Sequence, residues 1–156
     1  MAKIILNIAK AYNDGFIENL EKTKYFQLHK NATSRTALYC FAIALCEMEK
    51  KEPTPIQSIG ASKSFVRAEF LANCDPLLRS LYYEKYLKDT PNNIDNICNQ
   101  DEVYNLAEKY ANTGFGILKK WNETLDEETL FYKLIGYMDN KFDEIKNELQ
   151  SELQII

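Results

Sequence analysis

Three arginines stand alone on segments that otherwise look built for a core, and an isolated cation among apolar residues must face a carboxylate, a carbonyl or a phosphate. Arg35 opens the run Thr36-Ala-Leu-Tyr-Cys-Phe-Ala-Ile-Ala-Leu45, Arg67 sits in Ser64-Phe-Val-Arg67-Ala-Glu-Phe70-Leu71, and Arg79 in Asp75-Pro-Leu-Leu-Arg79-Ser-Leu81. Their repetition suggests a shared polar partner. Lys63, Lys85 and Lys88 fall in the same region, with the hydroxyls of Ser62 and Ser64 near by. Such a set can hold phosphates through charge-assisted hydrogen bonds. The competing reading is structural: an arginine flanked by apolar residues can bond helix carbonyls or a carboxylate such as Glu69 or Asp75, and helix lysines are usually just solvated. The structural role weighs more for Arg35 and Arg79; for Lys63, Arg67, Lys85 and Lys88 the two readings balance.

Catalytic chemistry has little to work with. The single histidine, His29, has no Cys or Ser beside it in a nucleophile setting. Phosphate-cradling GxxxxGK[ST], dinucleotide GxGxxG and zinc-hydrolase HExxH patterns are missing. Cys40, Cys46, Cys74 and Cys98 form no CxxC pair and read as small buried thiols. The acidic groups Asp126-Glu-Glu128 and Asp143-Glu144 read as solvated helix faces. No cofactor, metal or enzymatic activity is expected.

At 156 residues, with 46% hydrophobic and 12% aromatic residues, the chain reads as one domain able to fold without metal or disulfide support. The longest apolar run is far too short to span a bilayer, and the start lacks a secretory pattern, which points to the cytoplasm. Charge is unevenly spread. Residues 1–92 hold 13 Lys and Arg against 10 Asp and Glu (+3), whereas residues 93–156 hold 6 against 13 (−7), for the net −4.

The elements that would position these groups read as an all-α fold. Residues 4–9 are ambiguous between strand and helix. A helix is expected from Asp14, as its cap, to Phe26; a largely apolar one runs from a Thr33 or Ser34 cap to about Lys50, where Pro53-Thr-Pro55 follows. A short helix is expected from Ser62 or Ser64 to Leu71. Asp75-Pro76 opens another, with Leu77, Leu78, Leu81, Tyr82 and Leu87 as its buried stripe. Asp101 to Trp121 forms one helix that the glycines at 114 and 116 could bend. From Asp126 a long amphipathic helix carries Leu130, Leu134, Tyr137, Met138, Phe142, Ile145, Leu149 and Leu153. Its seam serves packing on its own domain or on a second subunit, and the first is slightly favoured.

The order of motifs carries a resemblance. Asn31-x-x-x-Arg35-x-Ala37-Leu38, then Phe65-Val-Arg67-x-x-Phe70-Leu71 with Asp75 and Leu77-Leu78-x-x-Leu81, then Ala111-Asn112-Thr-Gly114-Phe-Gly116-Ile-Leu118, resembles the DndE family of DNA sulfur-modification proteins over residues 16–134. It maps family positions onto Asn31, Arg35, Arg67, Asp75, Asn112 and Gly114. Two departures stand out: no Thr-Gly pair precedes Arg35, and Thr113 occupies the place of an arginine. The resemblance implies a helical, oligomeric, non-catalytic accessory protein that binds double-stranded DNA and works with the other proteins of a phosphorothioation system. Arg35, Lys63, Arg67, Arg79, Lys85 and Lys88 would form the DNA-binding set. The acidic helix of residues 135–156 lies outside the resemblance. The rival reading is a helical interaction scaffold without direct DNA contact, and a third, metal-dependent nucleotide hydrolysis, would rest on the acidic tail alone.

Overall fold

Two long helices cross so closely at the centre that one residue must lack a side chain. The computed structural model describes residues 2–23 and 32–153; His29 and Asn31, and the end of the helix expected to reach Phe26, lie outside them. Helix α3 (Ala32–Met48) buries Tyr39, Ala42, Ile43, Leu45 and Cys46, and begins ahead of both expected caps. Helix α5 (Gln100–Thr124) packs against it through Val103, Leu106, Ala107, Tyr110, Ala111, Phe115 and Leu118. A Cβ on Gly114 would stand 1.8 Å from the carbonyl oxygen of Ala42, so glycine is what lets the backbones meet. Helix α5 runs unbroken through Gly114 and Gly116. Asn99 caps it by accepting a hydrogen bond from the amide of Glu102.

The all-α reading holds, with one small sheet added. Strand β1 (Ile5–Ala9) resolves the ambiguous opening, and pairs antiparallel with β2 (Ser62–Arg67), where a helix was expected. The register sets Leu6 opposite Val66 and Asn7 opposite Ser64, leaving Phe65 as the extra residue of a bulge. Without the bulge, neighbouring strand residues would face opposite sides; with it, Phe65 and Val66 are both buried. Phe65 then stacks on Tyr39 (centroids 6.0 Å apart) and meets Phe115 edge-on at 5.7 Å. Residues Ala68–Cys74 follow as tight 3-10 turns. The strand wins because Phe65 and Val66 are strand formers and β1 supplies a backbone partner; five residues of apolar pattern were too few to reveal either.

Between the strands, α1 (Lys10–Tyr12) passes through a π-helical segment, Asn13–Ile17, into α2 (Glu18–Leu20). Asp14 has an extended backbone and Gly15 a φ of 88°, so the chain kinks where a helix start was expected. Helix α4 (Asp75–Tyr82) has Pro76 in its first turn and buries Leu78 and Tyr82, but Leu77 of the expected stripe is exposed and Leu81 only half-buried. Helix α6 (Glu127–Leu153) starts where the Asp126 carboxylate accepts the Thr129 amide at 2.8 Å. Leu130 and Leu134 are buried, and Tyr137 packs edge-on against Trp121. The expected packing on its own domain therefore covers only the first turns of the helix; the later ones stand in solvent.

Replacing Gly114 by Ala is expected to cost about 3 kcal/mol or more, because a backbone rather than a side chain must yield. Gly136→Ala, with nothing within 4 Å of the added carbon, should stabilise by about 1 kcal/mol. Chemical denaturation of the two variants checks both signs.

Candidate nucleic-acid interface

The shared partner expected for the three arginines is not there; each has its own. Arg35, on the first turn of α3, donates from Nε to Glu21 Oε1 at 2.7 Å and from Nη2 to Oε2 at 3.2 Å. The Glu21 side chain is 2% exposed, and the Arg35 guanidinium also lies 5.1 Å over the Phe65 ring. A buried carboxylate held by a fork and an aromatic face is a structural clamp between the end of α2, α3 and β2. Arg79 donates to Asp75 Oδ2 at 2.7 Å, to the carbonyl of Ile97 and to Gln100 Oε1, while Gln100 donates to Asp75 Oδ1 at 2.9 Å. It ties α4 to the start of α5. Burial would raise the Asp75 carboxyl, but Arg79 and Gln100 outweigh it and hold the group below its ordinary value.

The remaining four cations also meet carboxylates. Lys63 on β2 reaches Asp14 at 3.1 Å and Glu18 at 3.4 Å. Bonds from Lys10, Asn13 and Lys63 hold the exposed Asp14 carboxyl well below the usual range, and the Asp14 bond in turn raises the Lys63 ammonium. Lys85 donates to both oxygens of Glu52, at 2.6 and 2.7 Å. Lys88 pairs with Glu84 one turn back at 2.6 Å, which raises its ammonium. Arg67 meets Glu69 only at 3.4 Å. Arg67 and Lys88 are the most open of the six, with side chains 72% and 57% exposed. These two can turn to a phosphate at small cost, because exposed ion pairs contribute little.

The motif residues of α5 have structural work as well. Asn112 is fully buried and donates to the carbonyl of Thr54 at 3.2 Å, and Thr113 Oγ1 accepts the Thr54 amide at 2.9 Å. Together they fasten the Pro53–Pro55 connector along the helix. Thr113 therefore takes part in the fold where an arginine would have been free to reach outward.

Among the described residues, no cluster of three or more His, Cys, Asp or Glu could hold a metal, and no helix is long and apolar enough to cross a membrane. The cysteines depart from the expectation of uniform burial. Cys46 is buried, but Cys98 is exposed, and Cys40 and Cys74 are half-buried with their sulfurs 3.1 Å apart. Burial and the Cys74 contact push the Cys40 thiol up to about 12, which favours its protonated form. Sequence reasoning missed Glu21, Gln100 and Glu52 as partners, since each is brought in from another element.

Arg35→Ala should cost about 3 kcal/mol by stranding the buried Glu21 carboxylate, as read by urea denaturation. Acid sensitivity has a definite sign. With folded values below 3.8, Asp14 and Asp75 contribute stability that is fully present above about pH 4 and lost as pH falls further. Asp75→Asn should flatten the melting temperature against pH below that point. Set beside known proteins, the chain matches no protein-family model, no curated protein and no solved structure.

Proposed function

We propose that this protein is a non-catalytic accessory subunit of a DNA phosphorothioation system, touching duplex DNA through Arg67 and Lys88 rather than through all six cations. The observation that carries the reading is the meeting of the three resembling motifs at one junction. Arg35 from the first lies over Phe65 of the second, and Phe65 meets Phe115 beside Gly114 of the third. Motifs some eighty residues apart along the chain thus act as a unit, which is what a family pattern that specifies a fold requires. Arg35 and Arg79 serve that unit from within. Arg67, leaving its exposed end, is the motif residue available to a backbone phosphate.

Binding on this reading is electrostatic, without base reading, and depends on repeating a weak patch across a homo-oligomer. A helical interaction scaffold is the second reading, favoured by one specific observation: every one of the six cations already has a carboxylate within 3.4 Å. Such a surface is largely neutral to a polyanion.

Fluorescence anisotropy with intact and nicked duplexes over a salt series separates the two. The accessory reading expects affinity that falls with salt, and a variant carrying Arg67→Glu and Lys88→Glu that binds about tenfold more weakly with a shallower salt slope. Absence of binding at low salt gives the scaffold reading the field; a double variant that binds like the parent removes Arg67 and Lys88 from the contact.

A further inference from the structure

Helix α6 carries two apolar faces, and the domain uses only one. Leu130, Leu134 and Tyr137 face inward. A second line, Ile135, Met138, Phe142, Ile145 and Leu149, runs at steps of three, four, three and four and is between 42% and 67% exposed. From Met138 through Ser151 every residue is exposed except Lys141, which is half-buried. A helical stretch of about fifteen residues standing in water is marginal by itself, and a covering helix would stabilise it. The heptad spacing of the seam, sustained with charges beside it, is that of a two-stranded coiled coil.

The flanking charges say what covers it. With Ile135, Phe142 and Leu149 as a positions and Met138 and Ile145 as d positions, Asp139 and Lys146 stand at e, and Lys141 and Glu148 at g. If two copies ran parallel, the g-to-e pairing would set Lys141 against Lys146 of the second copy, twice over. In an antiparallel pair, g faces g and e faces e. Lys141 then meets Glu148 of the other copy and Asp139 meets its Lys146, each twice by the two-fold symmetry. Phe142 layers on Ile145 and Met138 on Leu149 in the same register. This also brings Leu149 of the second copy to Met138, at the mouth of an apolar groove of about 250 Å³ lined by Leu38, Phe41, Leu118 and Leu130.

We infer that the exposed face of α6 is the seat of a second copy of this chain, bound as an antiparallel coiled coil centred between Phe142 and Ile145. The self-complementary charge pattern favours a copy over an unrelated partner, because an isologous interface must satisfy itself.

Light scattering and sedimentation equilibrium on the full chain, without DNA, test this. The parent should have the mass of a dimer or a multiple of it, and Phe142→Glu should halve that mass while circular dichroism shows the helices kept. Orientation is read from Lys146→Glu. It should weaken dimerisation about tenfold by opposing Asp139, with Glu148→Lys weakening it likewise and Lys141→Glu combined with Glu148→Lys restoring it. A monomeric parent, a dimer indifferent to Phe142→Glu, or a Lys146→Glu variant that dimerises more tightly, as a parallel pair requires, overturns the inference. A monomeric parent would also remove the oligomer on which the accessory reading depends, whereas an intact dimer that binds no DNA would count against that reading alone.

Discussion

The approach of α3 to α5 at Gly114 is the constraint from which the other contacts follow. It puts the Ala42 carbonyl where a side chain would be and brings Tyr39 and Phe115 to opposite sides of one space. Phe65 fills that space, which requires the bulge in β2, and the position of β2 sets where Arg35 can rest its guanidinium. One missing methyl group thereby governs a sheet register and an ion pair. Dense interiors behave this way, because there is no slack to absorb a displacement of one helix from another.

The same economy extends to the charges of the candidate surface. Ion pairs join the end of α2 to α3 and β2 to the kink at Asp14, and the pair within α4 holds Arg79 where it bonds Gln100 of α5, so each candidate cation already has a partner. The six candidate cations therefore present little unpaired charge. Affinity for a polyanion must then come from the few side chains whose partners are weak, and from their repetition in an assembly.

The long helices were legible because periodicity over fifteen or more residues outweighs local ambiguity: α3, α5 and α6 fall within a few residues of where their apolar spacing puts them. Strand β2 was not, since Ser62–Arg67 is short and its partner lies more than fifty residues away. The cations were recognised as residues that must face something, but not what they face. Glu21 lies 14 residues before Arg35, and Gln100 lies 21 residues beyond Arg79. Local pattern says nothing about such pairs. Even the motif glycine pointed to a bend, whereas its use is to let another backbone in.

Asn7, in the middle of β1, has both its backbone groups turned to side chains. Its amide donates to Glu108 at 2.7 Å, and its carbonyl accepts the hydroxyl of Tyr39 at 3.2 Å. A two-stranded ribbon ordinarily leaves a bare outer edge onto which another strand can add. Here a carboxylate from α5 and a phenol from α3 occupy that edge at its centre, and Lys3 closes the group by pairing with the same Glu108. The β1 edge is thereby closed at its centre to the addition of another strand.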